Sequence, residues 1–188
     1  MLARGGFFMH KWFKILLMSM VAFSTIFLAT GCSAENGKTT QETADSNKFP
    51  AFQTVDVAGN TVTQDIFKGK KITVVNIWGT FCPPCIGEMP ELGKWAREMP
   101  QDVQIIGLVC DANGPDDKET KAAAVKILKD ANVSFVNILP DDKLLKYLEG
   151  VDAVPTTIFV DSDGNIIGEK VVGADVAKYK QQVERYLK

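Results

Sequence analysis

Residues 49–188 predict an α/β domain with a mixed central sheet and helices on both of its faces, and three features of the sequence predict it. Two apolar, β-branched runs, 71–78 and 103–110, each lead into a stretch of helical character. A later segment, 156–173, has the pattern of a hairpin. The chain then closes on an amphipathic stretch. Strands alternating with helices call for parallel neighbours, whereas a hairpin adds antiparallel ones, so the sheet is mixed.

Taken in order, AFQTVDVAGNTVTQDI reads as two short strands around Gly59-Asn60, a dipeptide that tolerates positive φ. KITVVNIW (71–78) is a nearly continuous apolar run, as expected of a buried central strand. PPCIGEMPELGKWAREM (83–99) predicts a helix with proline in its first turn, where no amide is needed. Pro90 inside it is expected to kink it. VQIIGLVC (103–110) predicts a second buried strand. The loop DANGPDD then leads to the helix KETKAAAVKILKDAN, with Val125 and Leu128 toward the core. SFVNIL (134–139) reads as a strand and DKLLKYLEG as a short helix ended by Gly150. The hairpin TTIFVDSDGNIIGEKVVG turns at 163–165. ADVAKYKQQVERYLK places Val176, Tyr179, Val183 and Tyr186 on one helical face. There is no internal repeat.

The segment before this domain is of another kind. Residues 1–31 hold Arg4, Lys11 and Lys14 and no acid, which leaves 18 basic against 23 acidic groups, net −5, in the remainder. No clustered basic face suggests nucleic-acid binding. MLARGGFFMHKWFK is a basic n-region and ILLMSMVAFSTIFLA an uncharged apolar h-region; Met9 would also serve as a start. LATGC follows, with Gly31 directly before Cys32. It resembles a bacterial lipobox, with Ala29 where the usual leucine stands and Leu28 one place further out. That resemblance implies a signal peptide over 1–31 and lipidation of Cys32. The alternative is an uncleaved membrane anchor, since residues 15–34 carry no charge and could just span a bilayer. Either reading puts the domain outside the cytoplasm, on a membrane. Residues 33–48, SAENGKTTQETADSNK, lack the apolar content to order themselves and read as a tether with a reach of ~20–24 Å.

The cysteines carry the chemistry. Cys32 belongs to the lipid, leaving Cys82, Cys85 and Cys110. A CxxC pair serves zinc sites, haem attachment or redox exchange. Zinc needs four nitrogen or sulfur ligands. The sole histidine, His10, leaves with the signal, so structural zinc, His-ligated copper, CxxCH haem attachment and a histidine base are all disfavoured. A two-residue gap also closes too small a loop to gain much as a staple. What remains is a dithiol that cycles. The strand ending at Trp78 and the turn Gly79-Thr80-Phe81 place Cys82 at a helix N-terminus, where unpaired amides and the helix dipole favour a thiolate. Cys82 is therefore expected to be the exposed nucleophile. Cys85, one turn in and more buried, is the resolving thiol. Pro83 and Pro84 offer no N–H and no cation stands beside the pair, which points to a reductant or moderate exchanger. Cys110 ends a buried strand, either as a small hydrophobe or as a third redox thiol.

WGTFCPPCIGEMPEL, followed by GVDAVPTTIFVDSDGNII, resembles the extracytoplasmic TlpA/ResA-like thioredoxins, over roughly residues 47–188. The resemblance implies a thioredoxin fold with an N-terminal β-hairpin and an inserted strand-helix unit. It implies a cis bond at Val154-Pro155, facing the CxxC pair and turning the backbone of Val154 toward an extended substrate. Trp78, Phe81 and Pro83 would complete the substrate surface. Phe81 stands where the family signature has a second tryptophan. Asn76 takes the place of the buried acid of thioredoxin, and Gly107 that of its lysine partner. By resemblance to the ResA-like subset, Glu88 would accept the proton of Cys85, a role that a raised carboxyl pKa would suit; as a bland alternative it is only a favourable first-turn helix residue.

The implied function is that of a protein thiol–disulfide oxidoreductase. It would be a lipoprotein on the outer face of the bacterial cytoplasmic membrane, working as a monomer through the Cys82–Cys85 pair without cofactor or metal. Its clients would be apocytochrome c haem-site cysteines, linking it to cytochrome c maturation, or another exported redox enzyme. A membrane thiol transporter of the CcdA type would supply electrons. Two alternatives stand beside it: a disulfide-forming oxidase of the same fold, and a non-catalytic lipoprotein that binds Cu(I) or senses redox state.

Overall fold

The structure, a computed structural model, describes residues 47–188. The signal peptide expected over 1–31, the lipidation expected at Cys32 and the expected tether up to residue 46 lie outside the described residues. Among the described residues no helix is long and apolar enough to cross a membrane.

The chain opens with a small antiparallel hairpin, β1 (Gln53–Val55) and β2 (Thr61–Thr63). Then follow β3 (Ile72–Trp78), α1 (Pro83–Glu98), β4 (Val103–Val109), α2 (Lys118–Asp130), β5 (Asn137–Ile138), α3 (Asp142–Leu148), β6 (Thr156–Val160), β7 (Ile166–Val172) and α4 (Val176–Leu187). The main sheet runs β5-β4-β3-β6-β7. β3, β4 and β5 are mutually parallel, and β6 and β7 return antiparallel. This is the expected mixed sheet and a thioredoxin-type fold, with the expected N-terminal hairpin.

Alternation along β3 divides the core between the two faces of the sheet. Ile72, Val74 and Trp78 pack with Met89 and Leu92 of α1, Leu128 of α2, and Tyr179 and Val183 of α4. Val75 and Ile77 face the other way, toward Ile106, Ile138 and Ile158, under Leu144 of α3 and the ring cluster Phe49, Phe52 and Phe67.

Both turns of the hairpins use one device, D-x-x-G-N. Asp56 accepts from Ala58 N, Asn60 N and Asn60 Nδ2, and Asp161 accepts likewise from Asp163 N, Asn165 N and Asn165 Nδ2. In each, the glycine before the asparagine takes positive φ, +93° at Gly59 and +84° at Gly164, which a side chain would resist.

Four expectations are corrected. Val125 is exposed; the inward stripe of α2 runs through Ala124 and Leu128, one turn apart, and Val125 falls on the solvent edge. The strand expected over 134–139 shrinks to β5, because the Asn137 side chain donates to the Phe135 carbonyl and competes with the ladder. Its outer edge is covered by the hairpin, through Val57 N to Asn137 O and Leu139 N to Val55 O. Tyr186 is half exposed, lying over β7 where a Cβ at Gly168 would collide with its hydroxyl. Docking also begins before residue 49, since Ile166 N donates to Asn47 O and Lys48 bridges Asn165. α1 continues through Pro90 to Glu98.

Candidate active site

β3 ends at Trp78 and hands the chain to a tight turn. Cys82 N donates to Gly79 O at 3.2 Å, and the Phe81 ring folds so closely over Gly79 that a Cβ there would stand 2.6 Å from it. Asp111, just past β4, clamps this turn by accepting from Thr80 N at 3.1 Å and from Thr80 Oγ1. Cys82 thereby becomes the N-cap of α1, with extended φ and ψ of −98° and 101°. The amide of Cys85 donates to its sulfur at 3.2 Å. The two cysteines are joined in a disulfide.

The expected exposed nucleophile is corrected: Cys82 is only 5 % exposed, although Cys85 is fully buried. The disulfide draws Cys82 Sγ inward onto Cys85, and the Val154 carbonyl oxygen stands 3.6 Å above it. The Val154–Pro155 peptide is cis. The loop is pinned by Thr156 Oγ1 donating to Ala153 O at 2.7 Å and by Gly173 N donating to Pro155 O at 2.8 Å.

Of the residues expected to meet substrate, Phe81 is 67 % exposed, Pro83 is exposed and Val154 is half-buried. They form an apolar rim around the sulfurs. Trp78 does not belong to it. Its indole is fully buried beneath the site, where Nε1 donates to Asn137 Oδ1 at 3.0 Å. Pro155 is buried too, leaving Val154 as the accessible residue of that pair.

Behind the disulfide lies a polar pocket. Glu88, one helical turn beyond Cys85, is buried. Its Oε1 accepts from Asn76 Nδ2 at 2.9 Å and its Oε2 lies 3.0 Å from the Tyr179 hydroxyl. Asn76 Nδ2 also donates to Thr157 Oγ1 at 3.1 Å. Burial raises the carboxyl above its ordinary range and the nearby Glu91 adds to the rise, against the opposing hydrogen bonds from Asn76 and Tyr179. Burial likewise pushes the Tyr179 phenol up to about 12, so it keeps its proton. Asn76 pairs across the sheet with Gly107, as the thioredoxin comparison implies. The space a lysine would need at Gly107 is filled by the Asn137 amide and the Trp78 indole. A carboxyl of raised pKa can take up a proton, which the neutral Asn76 amide cannot.

Cys110 is half-buried and belongs to the opposite face of the sheet from the disulfide, packed with the α3-side core. Burial and the charge of Asp111 push its thiol up to about 11. A thiol held that high carries little thiolate at neutral pH, as suits a small hydrophobe. Trp95 is half-buried on α1, with Lys180 5.9 Å from its ring centre. Among the described residues no cluster of three or more His, Cys, Asp or Glu could hold a metal ion.

Sequence reasoning missed Tyr179, Thr157, Asn137 and the Asp111–Thr80 clamp. A signal existed for the first: a tyrosine on an otherwise apolar helical face carries a hydroxyl that must find a buried partner.

The Redoxin family matches residues 44–183. The thiol-disulfide oxidoreductase ResA of Bacillus thuringiensis subsp. konkukian is 30% identical over 92% of this chain and 95% of its own. The thiol:disulfide interchange protein DsbE of Haemophilus influenzae is 30% identical over 81% of this chain and 80% of its own. A crystal structure of a thiol:disulfide interchange protein of the thioredoxin family from Chlorobium tepidum superposes with a TM-score of 0.62 at 23% identity, covering 76% of this chain and 97% of that one, and shows the shared fold.

Proposed function

This chain belongs to the Redoxin family as a thiol–disulfide oxidoreductase of the ResA/DsbE type with a Cys82–Cys85 disulfide, and from that premise we propose that it is a membrane-tethered reductant of disulfides in exported proteins. The reading is supported most by one observation. Among the described residues a single hydrogen bond, from the Cys85 amide, is donated to Cys82 Sγ, and neither proline between the cysteines has an N–H to add another. A thiolate so sparsely supported has little reason to remain reduced, and a pair that is easily oxidised is a good electron donor.

In the reduced form, the Cys82 thiolate attacks one sulfur of a client disulfide. A mixed disulfide forms and the first client thiolate leaves. Glu88 takes the proton of Cys85, whose thiolate then attacks Cys82 Sγ. The second client thiolate is expelled and takes up a proton, and the Cys82–Cys85 disulfide closes. Two electrons have passed to the client. Phe81, Pro83 and Val154 are the surface against which the client lies, with the Val154 backbone available to an extended segment. Exchange with a membrane dithiol carrier of the CcdA type restores the dithiol, and apocytochrome c or another exported redox protein is the client. Lipidation at Cys32 holds the domain on the outer face of the bacterial cytoplasmic membrane.

Replacing Cys85 with serine halts the cycle at the mixed disulfide. Mass spectrometry of what stays linked to Cys82 in cells is expected to find exported cysteine-pair proteins. Capture of nothing but a second copy of the trap would overturn the proposal.

A further inference from the structure

One side chain links Glu88 to the loop over Cys82 and has no part in the scheme above: Tyr179 of α4. Its hydroxyl lies 3.0 Å from Glu88 Oε2 and 2.7 Å from the Gly173 carbonyl oxygen, and it receives Asp175 N–H at 3.3 Å. A phenol has one proton to donate. With Glu88 ionised, its carboxylate and the Gly173 carbonyl are both acceptors, and the phenol proton serves only one of them. With Glu88 protonated, Oε2 can itself donate, and the phenol proton is free to serve Gly173. Oε1 already accepts from Asn76, so the carboxyl proton belongs on Oε2, from which it is donated to the phenol oxygen, and the phenol donates to Gly173. Gly173 in turn holds the loop, its own N–H donating to the Pro155 carbonyl at 2.8 Å.

We propose that Tyr179 is a positioning residue for proton exchange at Glu88: its hydroxyl points at the Gly173 carbonyl while the carboxyl is protonated, and swings to Glu88 when the carboxyl ionises. The proposal rests on the reading of Glu88 as the acceptor of the Cys85 proton. That proton moves from Cys85 to Glu88 and later returns to solvent or thiol; Tyr179 reorients and keeps its own. Each ionisation state thus has a hydrogen-bond partner ready, and the state of Glu88 is felt at the residue that holds the Val154-Pro155 loop. The other groups around Glu88 leave this role to Tyr179. α1 brings Cys85 and Glu91, the latter paired at 2.9 Å with Lys180 of α4. The Asp175 carboxylate caps α4 by accepting from Lys178 N. β3 and β6 bring the neutral Asn76 and Thr157, and the Thr157 hydroxyl also hydrogen-bonds the phenol, where it offers no charge of its own.

The test is a carbon-13 NMR titration of the full-length protein in detergent micelles, following the Glu88 carboxyl and the Gly173 carbonyl. In the wild type the Gly173 carbonyl shift is expected to titrate with the Glu88 midpoint, and to be flat with pH in Glu88→Gln. In Tyr179→Phe the ionised carboxylate loses a charge-assisted donor, roughly twice as strong as a neutral one, so the Glu88 midpoint is expected to rise by about one pH unit. The pH profile of mixed-disulfide resolution should move by the same amount, while the first attack by Cys82 keeps its rate. A Gly173 shift that ignores Glu88 in the wild type would overturn the proposal, whether or not Tyr179→Phe folds. So would a Glu88 midpoint unmoved in a folded Tyr179→Phe. If Glu88→Gln leaves the resolution profile intact, the acceptor role of Glu88 fails instead, and that outcome is read from a different variant.

Discussion

Gly107→Ala would place a methyl group where two buried side chains meet. The added carbon would overlap Asn137 Oδ1, lie 2.7 Å from Asn137 Cγ and 3.0 Å from Trp78 Nε1. Asn137 cannot stay, and with it goes the 3.0 Å hydrogen bond from the Trp78 indole, which is fully buried. An orphaned buried donor costs about 1–3 kcal/mol. Overpacking adds about 1–3 kcal/mol. Replacing a strand glycine with alanine returns roughly 0.5–1 kcal/mol of backbone entropy. The net expectation is a loss of about 2–4 kcal/mol, a large share of a domain's total stability. Asn137→Ala vacates the same space. In that background Gly107→Ala should cost no more than about 1 kcal/mol, so the pair is strongly non-additive. Urea unfolding of the oxidised protein at pH 7, followed by tryptophan fluorescence, measures all three variants. A single-variant cost below about 1 kcal/mol, or costs that simply add, would refute the claim that Asn137 and Trp78 fill the place thioredoxin gives to lysine.

Glu88→Gln keeps the size of the side chain and loses the proton acceptor; resolution of the mixed disulfide should slow about 100-fold, at the lower end of what a positioned base supplies, with the first attack unchanged in stopped-flow. The same variant changes stability with a definite sign. Burial raises the Glu88 carboxyl above its ordinary 4.5, so the folded protein holds this proton to higher pH than the unfolded chain. Wild-type stability should therefore fall relative to Glu88→Gln as pH rises from about 4.5 through the folded value, and the two curves should run parallel below about 4.5 and again above the folded value. Cys110 should resist iodoacetamide at neutral pH, alkylating with a midpoint near 11. That midpoint should drop in Asp111→Asn, and Cys110→Ala should leave turnover within about twofold of wild type, since its thiol takes no part in exchange.

The strands, the helices and the CxxC position were legible in the sequence because each follows from local physics. β3 and β4 are nearly continuous apolar runs, Cys82 stands just ahead of prolines that fit a first helical turn, and Gly59-Asn60 and residues 163–165 are stretches that favour turns. Glu88 could be placed one turn from Cys85 by helical spacing alone. Its partners could not. Asn76 and Tyr179 come from elements 12 and 91 residues away along the chain, and only the packed sheet brings them together. Trp78 shows the opposite failure. Sequence proximity to Cys82 suggested a place on the surface, whereas strand alternation turns its side chain into the core. The burial of Cys82 was also not legible, because the Val154 loop that roofs it arrives from 72 residues downstream.

The direction of electron flow is the property from which the proposed biology follows, and one equilibrium measures it. The Cys82–Cys85 pair can be poised against glutathione or thioredoxin buffers and its reduced fraction read by thiol trapping. A sparsely supported Cys82 thiolate should give a strongly reducing potential, near the roughly −270 mV of thioredoxin. A value near the roughly −120 mV of DsbA would mean that the reduced form is the stabilised one, and the protein would then be an oxidant of its clients.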